Sequence, residues 1–112
     1  EAYSKGMSRR VAVAATLMVK PRLAILDEPT AGLDVVSARY VREVIRRFTR
    51  EFGTTVILSS HNMFEVSRVC DRVALIHSGR VVAVDGVDRI LSSVGAEDLE
   101  EAFVKIVGGR GG

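Results

Sequence analysis

Apolar positions follow two alternating rhythms along this chain, one of helical spacing and one of short continuous runs. Met7, Val11, Ala14, Ala15 and Met18 fall on one face of a first helix, which Ser4 is suited to cap and Pro21 ends. Leu23 to Leu26 is apolar throughout, as a strand buried on both faces would be, and it runs straight into Asp27 and Glu28. A longer amphipathic helix is predicted between Asp34 and Gly53. It turns Tyr40, Val41, Val44, Ile45, Phe48 and Phe52 inward and Arg39, Arg42, Glu43, Arg46 and Arg47 to a solvated face. Thr54 to Ser59 is β-branched and apolar, which suits a second buried strand, and it delivers Ser59, Ser60, His61 and Asn62 to its carboxyl end. A short helix through about Val69 follows, then Val73 to Ile76 and Val81 to Val84 flank Ser78-Gly79 as a hairpin. A helical segment near Asp88 to Leu91 precedes a final helix with Leu99, Ala102, Phe103 and Ile106 on one face. Gly108 to Gly112 is expected to be a flexible tail after a domain spanning 1–107.

Strand, helix, strand, helix, strand is the order of an α/β layer with a parallel sheet. Two successive parallel strands end on the same edge, so Asp27, Glu28 and His61 are expected to face a common site, at the edge where open α/β sheets take their ligands. Two adjacent acids there suit a division of labour, the first holding a metal bound to phosphates and the second polarising an attacking water. Taken alone, the same residues also fit a strand that ends in a polar turn.

Composition narrows the class without naming the chemistry. With 47% hydrophobic and 27% charged residues, the 112-residue chain is that of a globular protein of at most one domain. A net charge of +2 comes from a slight excess of Arg and gives no basic patch of the kind that binds nucleic acid. Cys70 is the only cysteine, so no internal disulfide forms, and its simplest role is that of a small buried hydrophobe. No apolar run approaches the roughly 18 residues of a membrane span.

Four segments require a joint explanation: Tyr3-Ser4-Lys5-Gly6-Met7 before a helix, Asp27-Glu28 at a strand end, Ala31-Gly32-Leu33-Asp34 after it, and His61 after the next strand. In this order and spacing the chain, from about Tyr3 to Gly108, resembles the second half of the ATP-binding subunit of ABC transporters. Leu26-Asp27-Glu28-Pro29-Thr30-Ala31-Gly32-Leu33-Asp34 is the most specific part of the resemblance. The resemblance implies an α/β fold, a partial P-loop NTPase of the RecA-like ABC ATPase type with a mostly parallel sheet. Ser4, Lys5 and Gly6 would form the signature loop facing the γ-phosphate held by an opposite subunit, consistent with the anion affinity of a helix start. Lys5 stands where the family consensus has Gly, and Met7 where it commonly has Gln. Lys5 would either touch phosphate or sit in solvent. Asp27 would hold Mg²⁺ through its water shell, and Glu28 would be the catalytic carboxylate. Asp34 would carry communication across a dimer or simply cap the following helix. His61 would contact the γ-phosphate as the switch histidine, whereas His77 is left as a hairpin surface residue. Ser59 and Ser60 are expected to make strand-end hydrogen bonds. The ending Leu99-Glu100-Glu101-Ala102-Phe103 is similar to exporters of drugs and polysaccharides.

The resemblance therefore implies ATP and Mg²⁺ as ligands, and a transmembrane permease and a second nucleotide-binding domain as partners. It places the chain at the cytoplasmic face of a membrane, with no nucleic-acid partner. No G-x-x-x-x-G-K-[ST] phosphate loop occurs in the sequence, so the chain is expected to be the C-terminal half of such a domain. In the family's sheet the missing strand lies between the one ending at Ser59 and the one spanning Val73 to Ile76. Its removal is expected to make those strands pair, to drive self-association or to leave the chain partly unfolded. Two other readings stand beside this one: a non-catalytic fragment or interaction module, and the head of a DNA-associated ATPase of the same family.

Overall fold

A computed structural model describes residues 5–109. They form two compact units, one through His61 and the other from Asn62.

In the first unit, α1 (Lys5–Met18), β1 (Leu23–Asp27), α2 (Val35–Glu51) and β2 (Thr55–Ser59) follow one another. The two strands pair in parallel with Leu23 opposite Thr55 and Asp27 opposite Ser59, so both carboxyl ends reach the same edge as expected. Helix α1 packs on α2 through Gly6, Val13 and Leu17, and α2 answers with Ser37, Val41 and Ile45. This corrects the expected inner face of α1. Met7, Val11 and Met18 are exposed, and the buried stripe lies roughly a third of a turn away around the helix. Helix α1 is apolar on two faces, and the spacing alone does not decide which one meets α2. Along α2 the expected stripe holds at Val41 and Ile45, while Tyr40 and Phe52 are exposed. Full burial of Leu17 and Val41 contributes about 1.5–3 kcal/mol each.

The strands are a second correction. Ala24 and Leu26 are buried, but Leu23 is 51%, Ile25 71% and Ile57 55% exposed, because α1 and α2 cover only one face of the pair. Neither β2 nor the next strand has a second hydrogen-bonded strand neighbour among the described residues. A bare apolar face beside open edges recruits other chains. The chain by itself is therefore expected to elute from size exclusion above its monomer mass, and Ile25→Lys with Ile57→Lys to shift it toward the monomer. A wild-type chain that is monomeric at all concentrations would contradict this.

The second unit holds α3 (Met63–Val69), β3 (Arg72–His77), β4 (Arg80–Gly86), α4 (Val87–Val94) and α5 (Leu99–Gly109). Strands β3 and β4 form the expected antiparallel hairpin, with Ser78 and Gly79 at its turn. Val73, Leu75, Ile90, Leu99 and Ala102 make its core, with Cys70 half-buried beside them, and burial pushes the Cys70 thiol up from its ordinary value. His77 sits edge-on to Phe103 at 5.8 Å, a packing role rather than a free surface position. Lys105 Nζ donates to the Val94 and Gly95 carbonyls, where the α4 dipole favours a cation. Helix α5 continues through Gly108 and Gly109, two residues into the expected tail, and positions 110–112 lie outside the described residues. No described helix is long and apolar enough to cross a membrane.

Candidate phosphate-facing site at the strand ends

The edge where β1 and β2 end brings three of the expected residues together. Glu28 N donates to the Ser59 carbonyl at 3.0 Å and lies 3.3 Å from Ser59 Oγ. Ser59 Oγ donates in turn to Asp27 Oδ1 at 2.5 Å. A hydroxyl has one hydrogen to give, so Ser59 accepts from the Glu28 amide while donating to Asp27, and the two strand ends are tied crosswise. Beyond them the His61 ring hydrogen-bonds Glu28 Oε2 through Nδ1. A carboxylate only accepts, so Nδ1 carries the hydrogen. In the neutral ring Nε2 is then an acceptor, and it becomes a donor toward phosphate only in the imidazolium. The His61 side chain is 98% exposed, which leaves that nitrogen open to a ligand.

Glu28 adopts φ +49°, in the left-handed region that a residue with a Cβ enters at a cost of about 1–2 kcal/mol. Ser59 holds its amide, and Arg9 Nη1 donates to its carbonyl at 2.7 Å. The strained backbone turns the Glu28 side chain off the strand direction, so two adjacent acids serve different neighbours. Asp27 pairs with Ser59, and Glu28 with His61.

The residues at the helix starts form a second cluster in the same unit. Ser4 lies outside the described residues. Lys5 opens α1 and is exposed, with its Nζ 2.4 Å from where a Cβ on Gly32 would stand, so the ammonium folds over that glycine. Gly32 has φ +71° and needs glycine's freedom for its backbone as well as for this approach. Gly6 is buried against the start of α2. Asp34 caps α2, its Oδ2 accepting from Ser37 N at 3.0 Å, and that hydrogen bond, with the one from the Ser37 side chain next, holds its carboxyl below the ordinary carboxylate value. The N-cap reading of Asp34 is thus met.

A Mg²⁺ ion keeps most of its waters and takes one or two carboxylates with phosphate oxygens. Asp27, a hard oxygen donor at the mouth of the strands, fits that requirement. Among the described residues no three His, Cys, Asp or Glu side chains converge on one point, so Asp27 would hold such an ion together with water and ligand oxygens. Arg9, Arg10 and Ser37 were not legible as site residues. Ser37 alone left a signal, a polar side chain on the inward stripe that continues through Val41 and Ile45.

An α/β unit with paired acids and a histidine at the ends of parallel strands is a fold shared with the ATP-binding domains of ABC transporters. The solved ATP binding subunit of an ABC transporter superposes with a TM-score of 0.81 at 30% identity, covering 95% of this chain and 45% of that one. A dimeric, post-hydrolysis ATP-binding cassette, MJ0796, bound to ADP and Pi, matches 75% of this chain and 36% of that one, with a TM-score of 0.66 and 25% identity. The family model described as ABC transporter matches residues 1–31. The ABC transporter ATP-binding protein NatA of Bacillus subtilis is 42% identical over 108 residues, 96% of this chain and 44% of NatA. A fluoroquinolones export ATP-binding protein of Mycobacterium tuberculosis is 45% identical over 83 residues, 74% of this chain and 27% of that protein. Together these matches support the ABC transporter ATP-binding subunit family. The chain spans less than half the length of the relatives it matches.

Proposed function

We propose that this chain supplies the signature-loop, Asp27, Glu28 and His61 portion of an ATP-hydrolysing site in an ABC transporter ATP-binding subunit. The observation that carries the reading is the Glu28 carboxylate, turned off its strand by a left-handed backbone and hydrogen-bonded to an exposed His61, beside an Asp27 held by Ser59. Mg²⁺, when bound, neutralises phosphate charge. Asp27 would hold that ion. Glu28 orients the attacking water and takes its proton, and His61 presents Nε2 to the γ-phosphate once protonated. Ser4, Lys5 and Gly6 serve the phosphate bound by a second nucleotide-binding domain. Asp34 carries that contact to the dimer partner.

In this reading the residues 1–107 are the C-terminal part of one ATPase domain, and the apolar face of Leu23, Ile25 and Ile57 is covered by the domain's other half. A permease subunit or domain supplies the membrane path, and the chain works at the cytoplasmic face. An exporter of drug-like cargo is the subtype we favour, as for the relative that exports fluoroquinolones. Without a phosphate cradle the chain alone is inactive, because a base with no positioned phosphate has nothing to act on. ATP titrated into the chain alone is expected to bind at millimolar affinity or not at all, and into an intact subunit carrying it at micromolar affinity. Micromolar binding by the chain alone would contradict the division of the site.

A further inference from the structure

The start of α1 and the start of α2 are joined by a side chain outside every recognised motif. Ser37 is 3% exposed, and its hydroxyl accepts from Arg10 Nε at 3.2 Å and Arg10 Nη2 at 3.1 Å. Its amide donates to Asp34 Oδ2 at 3.0 Å. Arg10 is held from the other side by the Tyr40 ring, whose centroid lies 5.2 Å from its Cζ. Gly6 passes so close that a Cβ there would stand 2.4 Å from Ser37 Oγ and 2.9 Å from Asp34 Oδ1. A surface pair of this kind would be worth little. Removing this hydroxyl takes away the acceptor that holds the Arg10 fork against the start of α2.

We propose that Ser37 is a positioning residue that clamps the first two turns of α1, at Gly6 and Arg10, to loop 31–34, so that a ligand at the helix start and the backbone of that loop respond as one body. The clamp needs only the hydrogen bonds above. Its use in nucleotide sensing rests on the proposed ATP site. Through it, the state of the phosphate-facing helix start reaches Asp34 without passing through β1 or Glu28.

Amide hydrogen exchange of an intact subunit carrying this chain tests both parts. Without nucleotide, Ser37→Ala is expected to speed exchange in the first two turns of α1 and in 31–34 together, by about fivefold, the factor that one net hydrogen bond gives. Exchange in β1 and β2 should not change. Arg10→Lys, which keeps one donor, should give a smaller acceleration in the same two segments, and it serves as the probe if Ser37→Ala does not fold. Acceleration confined to α2, or spread over the whole unit, would overturn the clamp. With ATP and Mg²⁺, the wild type should slow exchange in both segments. In Ser37→Ala the first two turns should still slow while the response of 31–34 falls about fivefold. Equal responses in variant and wild type would overturn the coupling. A wild type that ignores ATP would instead sink the nucleotide reading, and the ligand-free comparison would still decide the clamp.

Discussion

Glu28→Gln in an intact subunit carrying this chain is expected to lower ATP turnover by about 10²- to 10⁴-fold while leaving the KM for ATP close to wild type. The size follows from what the side chain is placed to do. Gln keeps the volume of Glu28 and can still accept from His61 Nδ1, so the crosswise ties among Ser59, Asp27 and the Glu28 amide persist. What it loses is the negative charge that takes the proton from water in the proposed mechanism. The left-handed backbone at Glu28 is unaffected, because Gln and Glu bear the same strain there. Turnover within a few-fold of wild type would remove Glu28 from the chemistry and return the strand end to a polar turn.

Gly6→Ala has the second large expected effect, and its sign separates two opposing terms. In an open helix, replacing Gly by Ala stabilises by about 0.8–1 kcal/mol through propensity. At Gly6 the added methyl would meet Ser37 Oγ at 2.4 Å, Asp34 Oδ1 at 2.9 Å and Ser37 Cβ at 3.0 Å. Ser37 is hydrogen-bonded on both sides and Asp34 is the cap, so neither can withdraw cheaply. Overpacking of a tight contact costs about 1–3 kcal/mol, and here it outweighs propensity. Denaturant unfolding should therefore show a net loss for Gly6→Ala. Gly108→Ala in α5, where a Cβ meets nothing within 4 Å, should show a small gain. A gain at both positions would mean that α1 does not pack on α2 as described.

Much of the fold was legible because its signals are periodic. The apolar runs at Leu23 and Thr54, the Ser78-Gly79 turn and the stripe of α2 give the elements in the right order and nearly the right bounds. Two features escaped for one physical reason. Periodicity reports that a surface is fit for burial, not which neighbour covers it. Helix α1 has two apolar faces, and packing on α2 selects Gly6, Val13 and Leu17 over Met7, Val11 and Met18. Strand β1 is apolar on both sides, yet only Ala24 and Leu26 are covered within the unit.

At the site the motif residues fall where the sequence order implied, with Asp27, Glu28 and His61 on one edge. Their supports were less legible. Ser59 was expected only to hydrogen-bond at a strand end, and the structure adds that it bridges Asp27 and the Glu28 amide. Arg9 on the Glu28 carbonyl and Arg10 on Ser37 depend on how α1 meets the end of β1 and the start of α2, which spacing along one helix does not encode.

The most direct measurement of the proposed shared ATP site is sedimentation of the Glu28→Gln intact subunit with ATP and Mg²⁺. A site built from the signature loop of one subunit and the phosphate held by another predicts a dimer that persists, since the closed state forms and its hydrolysis is blocked. A variant that binds ATP with wild-type affinity and sediments as a monomer would contradict it.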